Sequence, residues 1–405
     1  MNLPGRAVLV IVLMNLAQLP VAMRQLLIVL IGHHNTGSFA TAGMASAACG
    51  IGLAVTAPLF GRLLARLGDR PVLLASGLVH LGALLALATT TRPVAFVALA
   101  AAAGLATPPA LPSGRALLPT LVPPAAVTRA YAVNAIGLEL LYIGGPLAVT
   151  LSLVLTGPGG ALLAFAAVGT AALAAHAAVV PGRATRAPDL PETGRTAVAH
   201  GTVRTLLGVH VGYMTCMGAM WVLVPAFATG VGHADQAGIL ITVWSVGSLA
   251  GGLVLARRGR LRSPGAAYVA LLATLASTSL ALLLPRTVPQ MAVAVAIFGL
   301  ALAPWLAVTD ELMARAAPAP RTAEAYGWLQ TAGQLGLALG SSTGGALNDR
   351  LGAGPTFLLV PVALVVALAL ALARRRHLRG AAPAADEADQ PATIDSGASG
   401  TSARG

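Results

Sequence analysis

The stretch from Tyr131 to Leu155 carries one charged residue, Glu139, near its middle. A helix needs ~20 apolar residues to cross the hydrocarbon core of a bilayer, and this stretch is long enough. Counting it, twelve apolar runs separated by Gly-, Pro- and Arg-rich breaks fall at 7–31, 38–61, 71–91, 94–118, 126–155, 159–181, 203–230, 235–256, 266–285, 288–314, 322–348 and 355–373. Inside lipid only helices and closed barrels satisfy every backbone polar group, and runs of this length are helical. The chain is 57% hydrophobic and 9% charged, with a mean hydropathy of +0.81. A soluble domain carries ~25% charged residues. The expected fold is therefore an all-α membrane protein with twelve transmembrane helices.

The net charge of +12 comes from 25 arginines and no lysine. If the N-terminus is cytoplasmic, all fall on the cytoplasmic side except Arg92, Arg286 and Arg350, which fall outside, and Arg24, which lies within a span. That is the positive-inside distribution, so the charge sets topology rather than marking nucleic-acid binding. It predicts a multi-pass protein of a bacterial inner membrane with both termini cytoplasmic. Cys49 and Cys216 sit in separate spans and give neither a disulfide framework nor a metal spacing.

The chain also repeats itself. Gly61-Arg-Leu-Leu-Ala-Arg-Leu-Gly68 is echoed by Gly252-Leu-Val-Leu-Ala-Arg-Arg-Gly259. A second echo pairs Gly104-Leu105-Ala106 with Gly299-Leu300-Ala301, Pro109 with Pro304, Ala130-Tyr131 with Ala325-Tyr326, and Glu139 with Gln334. A constant offset over more than one span marks a duplicated unit. The predicted organisation is a six-helix bundle at 1–182, a polar Pro/Gly-rich linker at 183–202, a second six-helix bundle at 203–379, and an Ala/Gly/Ser-rich acidic tail at 380–405 with no apolar face to bury.

Two six-helix halves with this loop resemble the major facilitator superfamily, whose loop between spans two and three reads Gly-x-Leu-x-Asp-Arg-x-Gly-Arg-Arg. Gly61, Leu63, Arg66, Gly68 and Arg70 match it; Ala65 stands at the Asp position, and Ala256 repeats that loss. The resemblance implies two bundles related by a pseudo-two-fold axis. It also implies that the missing Asp, which in the family helps lock the outward-facing state, has no counterpart unless Asp69 replaces it. The runs Pro108-Pro109-Ala-Leu-Pro112-Ser-Gly-Arg115, Gly137-Leu-Glu139-Leu and Gly145-Pro146 are similar to a branch of bacterial drug or metabolite exporters. The antiport signature expected on span five is partial, since Val149-Thr150 stands where that branch has Gly-Gly.

A carboxylate at membrane depth costs ~2.5–3.5 kcal/mol even on the lenient insertion scale, so Glu139 has a role. Three remain open: pairing with an arginine to hold helices together, carrying a proton, or contacting a cationic substrate. Arg24 is the natural counter-charge. Counted from the cytoplasmic ends of their spans, the two differ in depth by ~6 Å; the competing reading is that Arg24 snorkels to the outer surface. Asn15, Gln18 and Gln25 give the same span a polar face. Arg115 and Asp310, with Glu311 beside the latter, occupy equivalent span ends and are candidates for an inner-gate salt bridge formed only in the outward-facing state. Further candidates for a central cavity are Asn134, Tyr142, His210, Tyr213, Trp305, Trp328 and Gln334. All four tryptophans, Trp221, Trp244, Trp305 and Trp328, lie in the second half, and Met214, Met217 and Met220 add an adaptable apolar surface there. Packing is the plainer reading for His80, His176 and the aromatic residues, and the glycines at Gly333, Gly336, Gly340, Gly344 and Gly345 form a stripe for close helix contact.

No phosphate loop, metal-ligand spacing or catalytic triad order is present. No cofactor, metal or enzymatic activity is expected. The expectation is a secondary transporter, monomeric, that exchanges protons for small hydrophobic or amphiphilic molecules in an export direction. The alternatives are a metabolite importer or facilitative transporter of the same fold, and a non-transporting membrane scaffold or sensor.

Overall fold

The computed structural model describes residues 3–123, 126–180, 198, 200–258, 263–316 and 322–379. The acidic tail at 380–405 and the linker up to residue 197 lie outside the described residues. Among those described, the chain is helical: α1 Gly5–Thr36, α2 Phe39–Leu67, α3 Asp69–Thr89, α4 Pro93–Leu105, α5 Ala110–Leu121, α6 Val127–Val179, α7 Gly201–Gly230, α8 Ala237–Arg258, α9 Pro264–Ser279, α10 Val288–Gly299, α11 Leu302–Ala316, α12 Thr322–Leu351, α13 Ala353–Thr356, α14 Leu359–Ala373 and α15 Arg375–Arg379.

Ten of the described segments are long and apolar enough to cross a membrane. One of them, Arg129–Val179, has 51 residues. At 1.5 Å per residue it would stretch about 77 Å, more than twice the hydrocarbon thickness. It folds back at Gly157, whose φ of 72° and ψ of 178° interrupt α6, so α6 supplies the predicted spans five and six. With the Gly-rich α12 as a further crossing, the count is twelve. Spans four and ten are each split, into α4 and α5 and into α10 and α11. The first split falls where Pro108 and Pro109 remove two backbone donors.

The duplication is written into the packing at a constant offset. A Cβ at Gly104 would fall on the Cys49 carbonyl, and one at Gly52 would meet the backbone of Ala101 and Leu105. In the second half Gly299 meets the Trp244 carbonyl and Gly247 the Ala296 carbonyl. Each of these residues is 195 positions after its counterpart. The Tyr131 hydroxyl donates to the Arg115 carbonyl at 3.1 Å, and the Tyr326 hydroxyl donates to the Asp310 carbonyl at 3.0 Å. The loop echo at Gly61 and Gly252 is four residues out of this register.

The chain links at the two ends of the bundle differ in character. One end gathers Arg62, Arg66, Arg70, Arg115, Arg204, Arg257, Arg315 and Arg374–Arg376 and is termed here the basic end. At the opposite end the helices turn in a few residues, through Gly37 (φ 72°), Gly157 and Gly352 (φ 78°).

Candidate functional site at the bundle interface

The interior of the first half is polar at the level of the α4–α5 break. Thr107, in the break, donates its hydroxyl to the Ala103 carbonyl (3.1 Å) and accepts from Arg24 Nη1 (3.3 Å). His80 Nδ1 lies 2.8 Å from the same Ala103 carbonyl. Arg24 is 6% exposed, and its Nε has no acceptor. The next residue, Gln25, is equally buried and neither atom of its amide has a partner. Toward the basic end, Asn15 Nδ2 donates to the Ile11 carbonyl (2.8 Å) and to Asn134 Oδ1 (3.1 Å). Gln18 is half-buried, and Tyr142 is exposed on α6.

The register of α1 against α6 corrects the depth expected for Glu139. Asn15 meets Gly137, and Met23 meets Gly145, with the same offset both times. The two helices run parallel here, and the backbone of Glu139 falls level with Ala17. Arg24 is seven residues further along, about 10 Å rather than ~6 Å. The cause is where the helices begin: α1 starts at Gly5 and α6 at Val127. The Glu139 side chain lies outside the described residues. Arg24 is buried and held by Thr107, so it does not snorkel to a surface.

The second half has an aromatic interior instead. Trp305 packs against Tyr213 (ring centroids 4.3 Å), Tyr268 (5.2 Å) and His210 (6.3 Å, rings nearly parallel). Trp305, Tyr268 and Tyr213 are buried to within 1% of complete, so in this state they fill the bundle rather than line an opening. Trp305 Nε1, the Tyr268 hydroxyl and His210 Nδ1 lack hydrogen-bond partners. Met217 and Met220 are buried nearby in α7, whereas Trp328 is 46% exposed and stands apart. Tyr268 was not singled out by sequence, because nothing in a lone tyrosine on span nine shows what it faces. His176 is fully buried in the first half.

The two ends of the interface between the halves are unlike. At the opposite end Asp349, at the end of α12, accepts from the Ser38 hydroxyl (2.6 Å) and from the backbone N–H groups of Phe39 (2.9 Å) and Ala40 (2.9 Å). It caps the first turn of α2, satisfying amides that a helix start leaves unpaired and placing a negative charge at the positive end of the dipole. Below it, Gly43 meets the Ser341 carbonyl and Gly345 the Phe39 carbonyl. Gln334 Nε2 donates to the Gly50 carbonyl (3.2 Å), and the Thr242 hydroxyl reaches the Ile143 carbonyl (3.4 Å). Arg115 and Asp310 are unpaired with one another, and Glu311 pairs with Arg315 on its own helix. Asp69 accepts from the Ser113 hydroxyl (2.7 Å), tying α3 to α5 within one half.

Sequence reading passed over Asp349, yet a signal was present. Gly345-Ala-Leu347-Asn-Asp349-Arg350-Leu-Gly352 carries the pattern Gly-x-Leu-x-Asp-Arg-x-Gly in full. Gly68, which ends the pattern at the basic end, has φ 84° and ψ 165°; Gly352 has φ 78° and ψ 170°. The same turn is built at both ends, with its aspartate kept at the opposite one. Across the repeat, Val154 stands where Asp349 does, and a cavity of about 310 Å³ lies beside it, lined by His33, Leu153, Pro158 and Asp235 among others.

A duplicated bundle of membrane-length helices, with the halves joined through α2 and α12 and with polar side chains buried in its interior, is the architecture of a membrane carrier. The model of the Major Facilitator Superfamily matches twice, at residues 10–209 and 206–399. The chain belongs to that superfamily and is a multi-pass membrane transporter. Among solved structures it resembles the nucleoside transporter NupG (14% identity, TM-score 0.70, covering 93% of this chain and 100% of that one). It also resembles a bacterial homologue of the human lysosomal transporter Spinster in an inward-facing, unoccupied conformation (13%, 0.69, 94% and 98%). The human organic anion transporter MFSD10 is a third (19%, 0.60, 91% and 100%). No curated protein matches the sequence significantly.

Proposed function

We propose that the chain is a proton-coupled exporter of small hydrophobic or amphiphilic compounds, working by alternating access in a bacterial inner membrane with the basic end cytoplasmic. The observation that carries the reading is the asymmetry of the interface: Asp349 seals the opposite end on α2, while Arg115 and Asp310 stand apart at the basic end. With the basic end inside, this is an inward-facing carrier. In the outward-facing state Asp349 releases α2, and Arg115 meets Asp310. Glu139 takes up and releases the proton, since an ion gradient is the energy source that a chain without a nucleotide site can use. The Arg distribution supports the orientation.

The named transport activities of the similar structures differ from one another, and import of a metabolite is the rival reading. Both are tested by the same measurement. Purified protein in proteoliposomes with an internal pH dye is challenged with lipophilic cations, neutral antibiotics and organic acids, wild type beside Glu139→Gln. A substrate-dependent pH change that the mutant loses supports proton coupling at Glu139, and its sign gives the direction. Substrate flux without a pH change removes proton coupling and leaves facilitated transport.

A further inference from the structure

Arg24 is the feature of this site that the reading above leaves unused. A guanidinium carries five N–H donors and a permanent charge. Here it is 6% exposed, makes one hydrogen bond of 3.3 Å to a neutral hydroxyl, and has an Nε with no acceptor. Among the described residues no carboxylate pairs with it. His80 and Cys49 lie close enough to feel its charge, and neither offers a negative charge of comparable strength. The backbone of Glu139 lies about 10 Å away along the helix axis.

The end of α4 offsets part of this charge. Its last turn points carbonyls toward the break, and the His80 ring and Thr107 hydroxyl both sit on the Ala103 carbonyl. A helix C-terminus supplies about half a unit of negative charge, so a full positive charge is left undercompensated. A buried charge with its partner missing is strongly destabilising, and a protein keeps such a group where something else completes it. Beside it, Gln25 holds an amide whose oxygen and nitrogen are both unpartnered and 7% exposed. Residue 24 lies twelve residues before the end of α1, about 18 Å from the opposite end, near the middle of the membrane, where carriers bind substrate.

We propose that Arg24, with the Thr107 hydroxyl, binds the anionic group of the substrate, so that the transported compound is an amphiphilic organic anion bearing a carboxylate, phosphate or sulfonate. The inference rests on the transporter reading and narrows its substrate class. A planar fork of donors suits a two-oxygen anion better than an ammonium would.

The test is binding to the purified full-length protein in lipid nanodiscs, without any gradient, by thermal melting. The probes are 1-naphthoate, 1-naphthyl phosphate and 1-naphthalenesulfonate, against the neutral 1-naphthamide and the cationic 1-naphthylmethylamine. At least one anion is expected to raise the wild-type melting temperature saturably, with no effect from the amide or amine. Arg24→Met abolishes that shift. Arg24→Lys keeps a reduced shift. The proposal is overturned if no anion outperforms the amide on the wild type, or if Arg24→Met keeps the anion response. Should Arg24→Met not fold, the wild-type panel and Arg24→Lys decide. Failure here leaves proton-coupled export of neutral or cationic compounds intact; a liposome experiment with no flux of any compound removes the transporter reading instead.

Discussion

Set side by side, the two halves of the molecule are nearly one backbone with two interiors. The glycine crossing of α2 and α4 at Gly52 and Gly104 is repeated by α8 and α10 at Gly247 and Gly299, and each half ties its inner helix end with a tyrosine hydroxyl. What fills the bundle differs. Asn15, on α1, bonds Asn134; its counterpart on α7 is His210, stacked near Trp305. Arg24 sits where the second half has Ala219, and Trp305 where the first has Ala110. Backbone contact without side chains cannot change without moving two helices, whereas an interior residue can be exchanged if volume and polarity are compensated. The difference teaches that the scaffold is held by the glycines and the chemistry by what the duplication left free to diverge.

The sharpest way to break this comparison is at the shared crossings. Gly104→Leu and Gly299→Leu each place a side chain onto a backbone carbonyl, and both should abolish folded protein, read as loss of the monodisperse peak in size-exclusion chromatography. Tolerance of one and not the other would show that the halves are not built alike. Next in size is the aromatic interior. Trp305→Ala should cost about 3–5 kcal/mol through the cavity it leaves. Asn15→Ala, at the polar node of the other half, should cost about 1 kcal/mol. Denaturant unfolding compares the two, and equal losses would contradict a division into packed and polar interiors.

A conformational prediction follows in third place. Asp349→Ala removes a charged cap with three bonds and should shift the balance between states by about 1–3 kcal/mol toward opening of the opposite end. Spin labels at 92 and 286 report it as a longer distance, with a shorter one between labels at 120 and 314, which leave Arg115 and Asp310 in place. Unchanged distances would mean the glycine packing of α2 on α12 is sufficient. The smallest effects belong to Tyr131→Phe and Tyr326→Phe. Each loses one exposed hydrogen bond, about 0.5–1 kcal/mol, and the two values should agree within error.

Much of this scaffold was legible because membrane helices must be long and apolar, and because a duplication leaves paired residues at a fixed spacing. The Tyr131 and Tyr326 pair was visible as an echo, and its hydrogen bond followed from the shared fold. The site was less legible. Depth counted from apolar boundaries placed Arg24 within ~6 Å of the level of Glu139, but α1 and α6 start at Gly5 and Val127, displaced from those boundaries in opposite directions. Asp349 was hidden for another reason: its motif was sought in the loop where the family keeps it. Trp305 and Trp328 look alike in sequence, yet one is a core and the other a surface residue, since an apolar helix gives little periodicity to separate its faces.

The brevity of the turns at Gly37, Gly157 and Gly352 has a consequence for how this protein meets the world outside. At each of these turns one or two residues, including a glycine at positive φ, join consecutive helices, so on the proposed orientation little backbone protrudes there beyond the lipid headgroups. Antibodies, phage and proteases are offered almost no footing. An epitope spliced at Gly157 would give a detectable handle on the side where the repeat has no latch, whereas the same insertion at Gly352 would pull Asp349 off α2.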